Sequence, residues 1–128
     1  MFEAFRFNPV NPVIYRRAAC DATIAAGSLR ARNITKGTMV LASNLSAMFD
    51  PLKIEAPESF RIDRPWGEYM LWGYGMHTCF GAHINRVVVP AILKPLLAKP
   101  RLRRAAGSAG RIDTGGTPFP QHFSVEWN

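Results

Sequence analysis

Acidic residues are scarce in this 128-residue chain: nine Asp and Glu stand against sixteen Lys and Arg, for a net charge of +7 and a pI near 10.1. That balance favours an acidic partner or ligand, whether nucleic acid, an acidic protein or the carboxylates of a cofactor. Cysteine is scarce too. Cys20 and Cys79 can form at most one disulfide, too few for a stapled secreted scaffold, so each is read as a thiol. Long apolar runs are missing: the longest, Val87 to Leu93, has seven residues and contains Pro90, whereas crossing a bilayer takes about 20. No membrane span is expected. Glu3 and Arg6 place charge where a secretory leader needs apolar residues, which makes a cytoplasmic location the expectation. With 48% hydrophobic and 20% charged residues and no internal repeat, the chain reads as a single globular domain over 1–128.

Local pattern gives mixed α and β structure, an α+β class. Glu3 to Phe7 reads as a short helix that breaks before Pro9 and Pro12, because proline excludes the residue before it from helical geometry. Ala22-Thr23-Ile24 and Thr38-Met39-Val40-Leu41 read as strands of a small antiparallel sheet, separated by Gly27 and a turn at Lys36-Gly37. Residues 50 to 70 carry Pro51, Pro57 and Pro65 among Phe60, Trp66 and Tyr69, the composition of a long irregular segment pinned by aromatic anchors. From Ala82 to Leu97 a helix is expected, apolar nearly all round and so buried on most faces, with a break or kink at Pro90 and Pro95. Phe123, Val125 and Trp127 alternate as a closing strand.

The stretch that carries chemistry is Trp72-Gly73-Tyr74-Gly75-Met76-His77-Thr78-Cys79-Phe80-Gly81, a glycine-punctuated loop that delivers one thiol just before a helix. A cysteine at a helix N-terminus has its thiolate stabilised by unsatisfied backbone N–H groups and the helix dipole. Glycines around it allow a flat ligand to approach the backbone closely.

This loop resembles that of the cytochrome P450 family, Phe-x-x-Gly-x-x-x-Cys-x-Gly. Gly75, His77, Cys79 and Gly81 match, and Trp72 stands where the family usually has Phe. Glu3-Ala4-Phe5-Arg6 resembles the family's Glu-x-x-Arg helix motif, and Pro57 to Pro65 its meander, with Arg64 as the third member of a Glu-Arg-Arg cluster. Arg16, followed by Ala18 and Asp21, is similar to a propionate-binding Arg. Lys36-Gly37-Thr38 and Ala47 to Pro51 follow in the family's order. After the cysteine the family usually continues Leu-Ala-Arg, where this chain has Ile84-Asn85-Arg86. That variant is similar to the branch associated with haem peroxidases that handle fatty acids.

The resemblance implies the C-terminal portion of the cytochrome P450 fold, short helices with a small antiparallel sheet and a long meander, lacking the upstream helices: a truncated haem-binding chain. It implies haem b (iron protoporphyrin IX) with Cys79 as axial iron ligand and catalytic centre, and Trp72, Gly73, Gly75, Phe80 and Gly81 around it. Thiolate ligation pushes electron density toward iron and favours O–O cleavage. Arg16 and His77 would hold the propionates, and Glu3, Arg6 and Arg64 would form a structural ion cluster. An indole N–H from Trp72 toward the sulfur would raise the iron potential. The implied function is an oxidoreductase of the monooxygenase or peroxygenase type, acting on an organic, fatty-acid-like substrate. The other reading is a non-catalytic haem-binding module. Because the distal helices have no counterpart in these residues, the expected partner is a second copy or a chain that supplies them. Lys94, Lys99, Arg101, Arg103 and Arg104 suggest an acidic electron-transfer protein on the cysteine side, or simply a solvated face. No recognised motif supports nucleic-acid binding, so none is expected. A zinc set of His77, Cys79 and His83 lacks the fourth ligand and the usual spacing. Cys20, His83 and His122 are read as ordinary side chains.

Overall fold

The computed structural model describes residues 1–116 and 119–128, and the chain separates into two compact units, Met1–Thr78 and Cys79–Asn128.

The first unit opens with helix α1 (Phe2–Phe7). Its last backbone bond runs from Asn8 N–H to the Ala4 carbonyl at 3.1 Å, and the chain then enters the Pro9 and Pro12 segment, where helical geometry is excluded. Strands β1 (Val13–Arg17) and β4 (Met39–Ser43) pair antiparallel, with Val13 opposite Ser43 and Arg17 opposite Met39. Between them lies a second antiparallel pair, β2 (Ala22–Ile24) with β3 (Arg32–Ile34), Ala22 facing Ile34. The expected turn at Lys36-Gly37 is present: Thr38 N–H donates to the Thr35 carbonyl at 3.1 Å, and Gly37 sits at φ +86°, a region that favours glycine.

Helix α2 (Asn44–Met48) follows β4 directly, capped by Ser43, whose hydroxyl accepts from the Ser46 N–H at 3.2 Å. Residues 50–65 then run without helix or strand, as their proline content predicts, until a 3₁₀ turn at Trp66–Glu68. The aromatic anchors are in place. Phe60 packs on Phe7 with ring centroids 5.7 Å apart, and Phe7 meets Phe49 edge-on at 5.2 Å.

The second unit is organised by helix α3 (Gly81–Leu97). Of the expected break or kink, no break occurs: the helix runs through Pro90 and Pro95, which can occur when the carbonyls they leave unbonded find other donors or water. Nor is the helix buried on most faces. Ala82 is its one buried residue, while Ile84, Val87, Val88, Ile92 and Leu97 are exposed. Hydropathy states what these side chains favour; burial needs an element packed on them. Strands β5 (Arg103–Arg104) and β6 (Val125–Glu126) pair antiparallel, Arg103 with Glu126 and Arg104 with Val125. The predicted closing strand is therefore real but only two residues long.

Across the described residues the buried apolar side chains are Met48, Ile54 and Ala82, and the buried polar ones are Glu3, Arg6, Asn44 and Arg64. No described helix is long and apolar enough to cross a membrane.

Candidate functional site

Within the first unit, the three residues of the expected ion cluster meet. Three-residue spacing puts Glu3 and Arg6 on one face of α1, where Arg6 Nη2 donates to Glu3 Oε1 at 2.8 Å and Arg6 Nε to Oε2 at 3.0 Å. Arg64 Nε reaches Glu3 Oε1 at 3.0 Å from the irregular segment. Most of the remaining guanidinium contacts are to backbone. Arg6 serves the carbonyls of Met48 (2.9 Å) and Pro57 (2.7 Å), and Arg64 those of Glu55 (2.8 Å), Ala56 (2.7 Å) and Ser59 (2.9 Å). Planar forks with five donors each suit this task, which a single ammonium could not perform. The Arg6 guanidinium also lies over the rings of Phe7 and Phe49, 4.6 and 4.4 Å from their centroids.

Burial alone would push the Glu3 carboxyl up; hydrogen bonds from Arg6, the Arg61 N–H and Arg64 outweigh it and hold the group down at about 2. Two further members were not assigned to this cluster from the sequence. Glu68 meets Arg64 at 3.3 Å, a contact that i, i+4 spacing could have suggested. Tyr69 hydrogen-bonds Glu3, and burial together with that negative charge raises its phenol above the ordinary value.

Beside this cluster is an aromatic one. Phe2 presents its edge to Trp66 at 5.0 Å and to Trp72 at 5.7 Å, and Trp66 stacks on Trp72 at 5.4 Å. Trp72 thus meets two rings, Phe2 and Trp66, at the start of the loop, where offset and edge-on ring contacts are favourable. The loop then turns at Gly73 (φ +83°) and Gly75 (φ +77°), conformations that disfavour any side chain. A side-chain carbon at Gly73 would touch Ile14 and the His77 carbonyl, whereas one at Gly75 would meet open space. Gly75–His77 form a 3₁₀ turn, closed by Thr78, whose N–H and hydroxyl both donate to the Gly75 carbonyl. His77 is exposed. Arg16, on β1, is exposed and donates to the Tyr15 carbonyl at 2.8 Å, so no contact ties it to the ion cluster.

In the second unit, Cys79 is a free, exposed thiol immediately ahead of α3; the Ala82 N–H donates to its carbonyl at 3.0 Å. Phe80, also exposed, precedes Gly81 at the head of the helix. A carbon added at Gly81 would stand 3.4 Å from Cys79 Sγ, so glycine leaves one side of the sulfur open. A soft, accessible sulfur donor at a helix N-terminus, with glycine beside it and an apolar exposed Phe80 next to it, fits ligation of a haem iron. Among the described residues, no three His, Cys, Asp or Glu side chains gather as a metal set; His77, Cys79 and His83 do not form one.

The basic residues after α3 are partly occupied. Arg103 pairs with Glu126 at 3.0 Å, Arg104 forks onto the Gly110 carbonyl, and Lys99 lies over the Trp127 ring.

No protein-family model matches the chain. Among curated proteins it is similar to linoleate diol synthase of Gaeumannomyces graminis, 37% identical over 68% of this chain and 8% of that protein. It is also similar to the putative cytochrome P450 YjiB of Bacillus subtilis, 36% identical over 75% of this chain and 23% of that one. The chain thus spans a small part of the length of the relatives it matches. Among solved structures, CYP105D6 superposes with a TM-score of 0.77 at 27% identity, over 99% of this chain and 33% of that one.

Proposed function

The chain is built as the C-terminal portion of the cytochrome P450 fold, and from that premise we propose that it is the haem-thiolate part of an oxidoreductase of the monooxygenase or peroxygenase type, with Cys79 as axial iron ligand. The observation that carries this reading is the open thiol of Cys79 at the head of α3, flanked by Gly81. Bound haem b would supply activation of dioxygen or peroxide for oxygen insertion.

The chain's own residues hold and shape that centre. The N-terminal end of α3 favours negative charge on the sulfur. Gly73 and Gly75 let the loop turn without side chains that would obstruct a flat macrocycle. Arg16 and His77, both exposed, are available to pair with propionates. The Glu3–Arg6–Arg64 cluster fixes the irregular segment that leads into the loop, so its role is structural.

Similarity to a linoleate diol synthase supports a fatty-acid substrate. Exposed apolar side chains along α3, among them Val87 and Ile92, support a second chain or copy that supplies distal helices. The basic residues Lys94 and Arg101 keep an acidic electron donor on the cysteine side within the proposal.

The test is the optical spectrum of the haem-supplied chain, reduced and exposed to carbon monoxide, beside Cys79→Ala. A strongly red-shifted Soret band that disappears in the variant is expected, together with peroxide-dependent oxidation of linoleate that the variant lacks. Equal spectra in the two proteins would remove Cys79 from the iron and overturn the assignment.

A further inference from the structure

We propose that Asn85 is a positioning residue for the Cys79 sulfur: its carboxamide donates an N–H to the iron-bound thiolate and thereby raises the reduction potential of the site. The inference rests on the haem-thiolate reading above.

It starts from the notch at Gly81. A side-chain carbon at that position would lie 3.4 Å from Cys79 Sγ and 3.6 Å from Asn85 Nδ2. The sulfur and the carboxamide therefore border the same gap, one from the residue just ahead of α3 and the other from the next turn of the helix. Four-residue spacing keeps Gly81 and Asn85 on a single face, and the absence of a side chain at Gly81 leaves the way between them unobstructed.

The carboxamide is also uncommitted. Asn85 is half-buried, and its side chain has no hydrogen-bond partner among the described residues, Cys79 included, so the proposed bond forms by rotation of the carboxamide across the gap when the sulfur is an iron-bound thiolate. Asn is a poorer helix former than Ala, so the helix gains nothing from an amide at this position. A half-buried N–H without a partner is unfavourable, and a thiolate is a charged acceptor, which makes the bond to it stronger than a neutral one. A donor on an iron-bound sulfur withdraws charge from it, weakens its donation to iron and favours the reduced metal. The sequence carries the same signal: Asn85 stands where the Leu-Ala-Arg run of similar cysteine loops would place Ala.

The experiment loads the full chain with haem and records the midpoint potential and the iron–sulfur stretching frequency by resonance Raman, for the native chain, Asn85→Ala and Asn85→Leu. Leu keeps the branched outline of Asn, with a larger volume, and favours helix, so it reads out the lost amide even where Ala loosens the fold. Both variants are expected to shift the midpoint negative and raise the stretching frequency, with the helical circular dichroism unchanged. Potentials and frequencies equal to those of the native chain in both variants overturn the inference and leave the haem-thiolate reading standing. A native chain whose haem spectrum is unaltered by Cys79→Ala overturns both.

Discussion

Glu3 and Arg64 are separated by 61 positions in the chain, and Arg64 Nε donates to Glu3 Oε1 at 3.0 Å. One carboxylate thereby joins helix α1 to the irregular segment that leads toward the cysteine loop. Arg6 shares that carboxylate, and the backbone N–H of Arg61 donates to it as well, at 3.1 Å.

Removing the carboxylate leaves the buried Arg6 guanidinium without its counter-charge and Arg64 with Glu68 alone, at 3.3 Å. Glu3→Gln is expected to destabilise the fold by about 3–5 kcal/mol, the range for breaking a buried pair from one side. Urea unfolding followed by circular dichroism measures it; a loss below about 1 kcal/mol would mean that the backbone carbonyls and Glu68 satisfy Arg6 and Arg64.

The same carboxylate sets an acid limit. Its folded value of about 2 lies below the ordinary 4.5, so on acidification the unfolded chain takes up this proton first. The contribution is complete above about pH 4.5 and is lost as pH falls from there toward 2, up to about 3 kcal/mol in all. Stability measured against pH should decline through that window in the native chain and decline less steeply in Glu3→Gln.

Arg64→Lys keeps the charge but not the fork. Three carbonyls, those of Glu55, Ala56 and Ser59, share its guanidinium, and an ammonium cannot reach them all while also meeting Glu3. Limited proteolysis should cut the variant faster between residues 55 and 63, while cleavage elsewhere stays as in the native chain.

Ala56 offers the opposite effect. It holds φ +43° without being glycine, a conformation that costs an L-residue roughly 1 kcal/mol, in order to present its carbonyl to Arg64. Ala56→Gly is expected to be neutral or to stabilise by up to about 1 kcal/mol, the relief of strain being partly offset by the greater freedom of the unfolded chain. Thermal unfolding with a clearly lower midpoint would show that the strain is smaller than the entropy.

Much of this was legible in the residues themselves. Three-residue spacing paired Glu3 with Arg6, proline and glycine marked the turns, and the loop from Trp72 to Gly81 announced itself by its glycines and single thiol. Less legible were the contacts that depend on where distant backbone comes to lie: the carbonyls of Met48 and Pro57 that receive Arg6 carry no side-chain signature. The two-residue pairing of Arg103–Arg104 with Val125–Glu126 is too short for periodicity to detect. Apolar content predicted burial for α3, yet Val87 and Ile92 lie exposed, because composition describes a side chain's preference and packing decides whether it is met.

Of the eight buried residues among those described, four are Glu3, Arg6, Asn44 and Arg64. Melting such an interior hydrates charged and amide groups alongside hydrocarbon, and the two kinds of exposure change heat capacity with opposite sign. In a calorimeter the chain should therefore show an unfolding enthalpy that varies less with temperature than that of a chain of equal length with a wholly apolar core, and a correspondingly broader stability curve.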